Sequence, residues 1–404
     1  MIQSKAKTTK NQITLDKYNK GYNYNEQSLT TKSSPQAKKQ AMNYISCSSN
    51  LSIVVDYLEV SCNAVSLVKF LEVHNLKDAQ PEQVFKFNSE ISLFYHGTGT
   101  KLYKYLLTIQ IDKQDFALIQ VSPRLVRGKM SSFTCQLKVI NEYLYKAGTY
   151  TKLIEVMRDL SLELNNFTRL DIALDHTQNL VQFFNNYIQN PDFSSNIIYA
   201  GKAKINGMDY QKNKGFDAFY IGSRKSEKYI NIYNKTKDIK RTQKNYITRF
   251  WENNLDYDKT KDIFRCELRL SSKELKRYVN LEIIDLADDN ILTSIFQNSA
   301  EKLLDFRFHT DKNISRCEKI ELIDFQNVNG KLLYEKTKLC QSDKYKAKLT
   351  IHIAFKLISK RLVDFIEEQR LLEVISYYCM MYGLESWFED RRPYWTKKYY
   401  VSYK

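Results

Sequence analysis

Apolar positions recur along this chain with two periods, and the switches between them outline its elements. A period of two marks strands and a period near 3.6 marks helices. LSIVVDYLEVSC (51–62) is apolar and β-branched and predicts a strand. KLYKYLLTIQID and DFALIQVSP, within 101–123, predict a strand pair, and FTCQLKVI (133–140) another strand. KLIEVMRDLSLEL (152–164) places Leu153, Val156, Met157, Leu160 and Leu164 at helical spacing. NNFTRLDIALDHT then reads as a strand with a turn before it, and TQNLVQFFNNYIQ returns to the helical period through Leu180, Phe183, Phe184 and Tyr187. Residues 201–216, rich in Lys, Gly and Asn, read as a basic loop. DAFYIGS and KYINIYNK predict two more strands, and DIFRCELRLSS (262–272) a third that runs into the helix KELKRYV. Further on, Leu357, Ile358, Leu362, Phe365 and Ile366 supply the apolar face of a long helical stretch.

These elements predict an α+β fold, with a mixed, largely antiparallel sheet flanked by helices over residues 51–300. A mainly helical region, 301–404, follows it and is a candidate for DNA recognition or dimerisation. Residues 1–50 predict a flexible basic arm. Met1 to Gln40 hold eight Lys and two acids, Asp16 and Glu26, with too little apolar surface to offset the entropy of ordering. Such an arm suits DNA phosphates, and equally an unstructured leader.

Charge narrows the choice of partner. The 62 Lys and Arg against 46 Asp and Glu leave +16, which favours an acidic polymer, nucleic acid before membrane surface. A Lys- and Asn-rich composition inherited from an AT-rich genome would leave the same surplus. The seven cysteines are scattered and form no CxxC, so neither a zinc ribbon nor a disulfide framework is indicated. No apolar run reaches the ~18 residues of a membrane span. A cytoplasmic protein without membrane contact is expected.

Alternation assigns faces on three strands. Arg169, Asp171, Ala173 and Asp175 share one face, opposite Leu170, Ile172 and Leu174. Tyr229, Asn231, Tyr233 and Lys235 share another, opposite Ile230 and Ile232. Arg265, Glu267 and Arg269 oppose Cys266, Leu268 and Leu270. A sheet with one wet side looks like this routinely. The polar set also suits a site: Asp171, Asp175 and Glu267 are hard oxygen ligands for Mg²⁺ or Mn²⁺, which could neutralise a phosphodiester. A phenol titrates near ~10. A metal, Lys235 or Arg265 beside Tyr233 is expected to favour phenolate and make it a nucleophile. Alternation does not separate Tyr233 from Tyr229.

Three segments in order resemble the trans-acting plasmid rolling-circle replication initiators and related relaxases. They are FTRLDIALDHT, YIGSRKSEKYINIYNK and FRCELRLSSKEL, together spanning Phe167 to Leu275. The resemblance implies that Tyr233 is the nucleophile, because it falls on the tyrosine of the I-Y-[DN]-K element. Tyr229 and Tyr220 fall on the family's other aromatic positions. The family's carboxylates map to Asp171, Asp175 and Glu267, read as the metal set. Where the family usually has Arg two residues before the nucleophile, this chain has Asn231, and Lys228 or Arg224 could replace that phosphate contact. The implied activity is nicking of one strand of a supercoiled origin, through a 5′-phosphotyrosyl intermediate, with later religation. A homodimer and recruitment of a host helicase are implied as well. None of the five His is spaced as His-hydrophobe-His, which sets the chain apart from the other large group of rolling-circle nickases. His176, beside Asp175, is either a supporting partner or a strand end.

Arg224, Lys225, Lys228, Lys235, Arg265 and Arg269 are the expected DNA-binding residues, within a basic segment that continues through Lys237, Lys240, Arg241 and Lys244. The tail residues Arg391, Arg392, Tyr394, Trp395, Lys397 and Lys398 suit phosphate contact and base stacking, or else packing on the C-terminal helix. A relaxase acting at a transfer origin, a non-catalytic DNA-binding protein on the same fold and, less well supported, a tyrosine recombinase are the competing readings.

Overall fold

The computed structural model of the chain describes residues 51–126, 131–211, 214–255, 257–278, 281–323, 325, 343–359 and 365–399. The basic arm expected over 1–50 lies outside them. The chain divides into two compact units, Met1–Lys336 and Thr337–Lys404.

The first unit is built on fourteen described strands. They are β1 (Leu51–Asn63), β2 (Val84–Lys86), β3 (Ile91–Tyr95), β4 (Tyr103–Ile111), β5 (Gln114–Pro123), β6 (Thr134–Val139) and β7 (Glu163–His176), then β8 (Ile197–Tyr199), β9 (Ile205–Gln211), β10 (Gly215–Ile221), β11 (Lys228–Asn234), β12 (Phe264–Ser271), β13 (Phe306–Phe308) and β14 (Lys319–Ile320). Eleven of them form one antiparallel sheet in the order β2-β3-β4-β5-β6-β1-β7-β12-β11-β10-β9. The others form a small sheet, β14-β13-β8. Together with the flanking helices this is the α+β class that the periodicities predict.

Alternation decides which face is buried. Leu170, Ile172 and Leu174 of β7, Ile230 and Ile232 of β11, and Cys266, Leu268 and Leu270 of β12 are all fully buried on the apolar face. The helix Leu180–Gln189 packs there through Phe183 and Phe184, and Phe184 stacks on Phe219 of β10. Each such side chain contributes roughly 1.5–3 kcal/mol of burial. Phe306 meets both phenylalanines edge-on and joins the small sheet to the same core.

Three boundaries differ from the sequence reading. The helix expected over 152–164 runs Thr149–Asp159, because Ser161 adopts a left-handed φ of 52° and turns the chain into β7. Leu164 is therefore a strand residue. Within the expected basic loop 201–216, Ile205–Gln211 is the edge strand β9, paired with β10. Its outer residues Asp209, Tyr210 and Gln211 are polar or exposed, so an edge strand reads as a loop by composition. The region after residue 300 opens with β13 and β14 in the first unit, ahead of any helix of the second.

The second unit contains the described helices Asp343–Ser359, Phe365–Tyr382 and Glu385–Tyr399, packed around Ile351, Ala354, Ile375, Cys379, Leu384 and Trp395. No described helix is long and apolar enough to cross a membrane.

Candidate active site

Strands β1, β7, β12 and β11 lie side by side, and their register stacks the polar residues in rows. Tyr233 pairs with Arg265, which pairs with Asp175. Asn231 pairs with Glu267, which pairs with Ala173. Tyr229 pairs with Arg269, which pairs with Asp171. On β1 the register shifts between Val55, opposite Ile172, and Tyr57, opposite Asp171. Asp56 is the extra residue of this bulge, and the bulge re-aims its carboxylate into the site.

Arg265 is the centre of the Asp175 end and is wholly buried. Its Nε and Nη2 donate to the two oxygens of Asp175 at 2.7 and 2.6 Å, and its Nη1 donates to Asp56 at 3.0 Å. Trp251 Nε1 donates to Asp175 at 2.8 Å, and the Tyr145 hydroxyl donates to Asp56. Burial disfavours the charge on Arg265, but Asp175, Tyr145 and Asp56 outweigh it and hold the guanidinium firmly protonated. Helix Asn245–Asn254 roofs this end, with Trp251 in a satellite apolar cluster beside Ile239, Ile247, Leu255 and Ile263.

Tyr233 stands next to the last residue of β11. Its hydroxyl donates to Glu267 Oε2 at 3.1 Å and receives Lys235 Nζ at 3.3 Å. The residues around it explain the YNK sequence. Asn234 caps the helix Lys235–Thr242 by accepting from the Lys237 backbone N–H at 2.9 Å, and its amide donates to Asp262 at 2.7 Å. The strand thus passes into the helix without a loop, which fixes Tyr233 and Lys235 on either side of the junction. Lys235 is anchored further by Asp238 at 2.9 Å.

Electrostatics give the phenol a different state from the one expected. Burial pushes Tyr233 well above its ordinary value, Glu267 adds to the rise, and Arg265 only partly opposes it. The resting tyrosine is therefore a neutral donor rather than a phenolate. Glu267 is raised to about 7, first by burial and then by Asp56 and Asp171, against the pull of Arg265 and Lys235. Burial and Arg265 lower Lys235.

The three carboxylates read as a metal set are not gathered at one point. Asp171 and Asp175 are four residues apart on β7, about 13 Å along a strand. Asp171 accepts from Arg169 Nε at 2.8 Å and from Arg269 Nε at 3.4 Å, while Asp175 is bound by Arg265. Among the described residues no group of three His, Cys, Asp or Glu could hold a metal ion. Two of the three carboxylates are already neutralised by guanidinium groups, so the donor set as it stands does not fit Mg²⁺ or Mn²⁺.

The expected DNA-binding residues separate by burial. Arg224 and Lys225 are exposed in the turn between β10 and β11. Arg269 is 28% exposed and lies 4.7 Å over the Tyr229 ring. Lys228 bonds the Ser299 carbonyl and lies 3.6 Å from buried Glu274, while Lys235 and Arg265 are 3% and 0% exposed. Those three cations are thus held or enclosed by neighbouring groups, unlike the exposed Arg224 and Lys225. Asn231 lies between Tyr220 and Glu267 in register. His176 is buried, neither ring nitrogen makes a well-formed hydrogen bond, and burial lowers it to about 4 against the weaker opposing pull of Asp175 and the Gln178 backbone. In the second unit Trp395 packs against His352, Phe355 and Phe388, while Arg391 and Arg392 are exposed. The side chains of Tyr394, Lys397 and Lys398 lie outside the described residues.

Known proteins resemble the part of the chain that carries this tyrosine. Residues 165–340 match the replication initiation factor family. The three sequence motifs all fall inside that segment. Among solved structures, the rolling circle replication initiator protein from Geobacillus stearothermophilus is similar over 67% of this chain and 93% of its own, with 15% identity and a TM-score of 0.40. No curated protein matches the chain. The replication initiation factor segment contains Tyr233, Asp171, Asp175, Glu267 and Arg265. Asp56 and Tyr145, which complete the network around Arg265, lie before it and were missed by the sequence reading. The one available signal was the acid that interrupts the apolar run SIVVD, out of step with the alternation on either side.

Proposed function

We propose that the protein is a rolling-circle replication initiator that nicks one strand of DNA through Tyr233. The observation that carries the proposal is the Tyr233 hydroxyl held between the Glu267 carboxylate and the Lys235 ammonium on a polar sheet face. The match of residues 165–340 to the replication initiation factors supports it.

In this reading the Tyr233 oxygen attacks the scissile phosphorus and its proton passes to Glu267, whose value near 7 suits a general base at neutral pH. The bond from phosphorus to the neighbouring nucleotide's O3′ breaks and that oxygen takes a proton from solvent, so the product is a 5′-phosphotyrosyl protein and a free DNA 3′-OH. The Lys235 ammonium, next to the reacting oxygen, stabilises charge gathering on the phosphoryl group. Religation runs the same path backwards: the 3′-oxygen attacks the phosphotyrosyl phosphorus, and Glu267 returns the proton to the departing phenolate. Buried Arg265, tied to Asp175 and Asp56, positions this face. No step is routed through a metal ion, because no donor set is assembled for one among the described residues. The homodimer and host helicase implied by the family resemblance belong to the same reading, since the nick supplies an entry point for unwinding.

The test is covalent. Supercoiled DNA carrying the cognate origin is incubated with the protein and resolved under denaturing conditions. Tyr233→Phe is expected to abolish the protein–DNA adduct and leave DNA binding intact; an undiminished adduct would sink the assignment.

A further inference from the structure

The polar face is roofed at the Asp175 end, whereas at the Asp171 end Arg169 and Arg269 are each 28% exposed above buried Asp171 and Tyr229. Tyr57 of β1 stands at that end, partly exposed, with its hydroxyl donating to Glu59 at 2.7 Å. The Arg169 guanidinium lies 3.8 Å from the ring centroid on the β7 side, pinned there by Asp171. From the β6 side the Lys138 ammonium covers the ring, at 4.7 Å. Lys138 has no carboxylate within ion-pair distance among the described residues, and its ammonium rests on the Tyr57 ring. Two strands further on, Arg269 lies over the Tyr229 ring, and both arginines meet at Asp171. Across the sheet the row thus runs Lys138, Tyr57, Arg169, Arg269 and Tyr229, with Asp171 between the two arginines, and it shares its face with Tyr233.

We infer that this row is the track of the single strand adjoining the scissile phosphate, with a base stacked on Tyr57. The inference rests on the nicking reading of Tyr233. Its physical basis is that every base has a π-face, while a protein ring with one loosely held cation can exchange that cation for a base. Lys138 then swings outward to a phosphate, which a flexible point charge does readily. Arg169 stays and backs the ring from its other side. Tyr57 lies three strand spacings and four residues from Tyr233, about 19 Å on the diagonal, a reach of several nucleotides. The row joins the site without a break, because Arg269 and Tyr229 belong to the strands that carry Glu267 and Tyr233.

The experiment is fluorescence anisotropy of the full chain with labelled oligothymidylate of about 12 nucleotides, at several salt concentrations. Tyr57→Ala is expected to weaken binding roughly 5- to 150-fold. Tyr57→Phe keeps the ring and binds like wild type. Lys138→Ala lowers the slope of log K against log salt by about 0.7, one phosphate contact on a single strand. Thermal melts of each variant separate lost stacking from lost folding, and if Tyr57→Ala does not fold the Lys138→Ala slope decides. An unweakened Tyr57→Ala, a Tyr57→Phe as weak as Tyr57→Ala, or an unchanged Lys138→Ala slope overturns the track. Tighter binding of an oligouridylate of equal length reassigns the row to RNA and also overturns it. Adduct formation by a protein indifferent to Tyr57 refutes the track alone. Tyr57-dependent binding without any adduct refutes the nicking reading and leaves the stacking row standing.

Discussion

Replacing Glu267 with Gln separates two roles that its carboxylate could play for Tyr233. As a charge, Glu267 works against the nucleophile, since it helps to push the phenol well above its ordinary value. Removing that charge alone would make Tyr233 more acidic and adduct formation faster. As a proton acceptor 3.1 Å from the hydroxyl, Glu267 is needed, and the carboxamide of Glu267→Gln could still accept the hydrogen bond but not the proton. A positioned general base contributes typically 10²- to 10⁴-fold, about 2.7–5.4 kcal/mol of barrier at 1.36 per tenfold. Loss of the base therefore outweighs the gain in phenol acidity. The assay is single-turnover adduct formation with saturating origin DNA, followed on denaturing gels across pH 5.5–8.5, a range of about 1.5 units either side of the base. With Glu267 at about 7, the wild-type rate is expected to climb with pH as the carboxylate ionises and to level off above about 7. Glu267→Gln should lose at least roughly a hundredfold in rate together with that inflection. An equal or faster rate in Glu267→Gln would refute the proton-acceptor role.

Four further outcomes follow from the same geometry. The folded-state value of Glu267 is raised, so its stabilising contribution is complete below the unfolded value near 4.5 and is lost as pH rises through about 7. Glu267→Gln is accordingly expected to melt higher than wild type at pH 8, with the gap closing towards pH 4.5; a constant gap would contradict this. Asp175→Ala leaves buried Arg265 without its bidentate partner and should cost about 3–5 kcal/mol in urea denaturation, and a loss under about 1 would show that the pair is not buried as described. Trp251→Phe removes one donor from Asp175 and should cost about 1.5–3 kcal/mol, read in the same assay. Arg224→Ala and Lys225→Ala, in the exposed turn, should each reduce the salt slope of duplex binding by about 0.9 while leaving the adduct rate at saturating DNA unchanged.

What could be read from the sequence was local. Alternation in TRLDIALD, KYINIYNK and FRCELRL is a property of neighbouring residues, and the sheet keeps those faces as read. β9 was hidden because an edge strand with one wet side needs little apolar sequence. Asp56 reaches Arg265 across 209 residues, through a bulge that no periodicity announces. Charge was legible but its use was not: Lys228, Lys235 and Arg265 look like free cations in the sequence, yet each is held by groups that only tertiary packing brings near. The carboxylates of Asp171 and Asp175 look like ligands for the same reason, until their arginine partners are seen. Tyr229 and Tyr233 share a face, and their surroundings distinguish them. Tyr229 is buried against Arg269, whereas Tyr233 alone has a carboxylate and an ammonium on its oxygen.

The central claim is that the Tyr233 oxygen becomes bonded to DNA. It is tested most directly by trapping the adduct on supercoiled origin DNA, digesting protein and DNA, and sequencing the cross-linked peptide by mass spectrometry. The account predicts a single nucleotide-bearing peptide, with the 5′-phosphate on Tyr233. A 5′-phosphate on Tyr229 or any other residue, or a nick left without a covalent protein end, would contradict it.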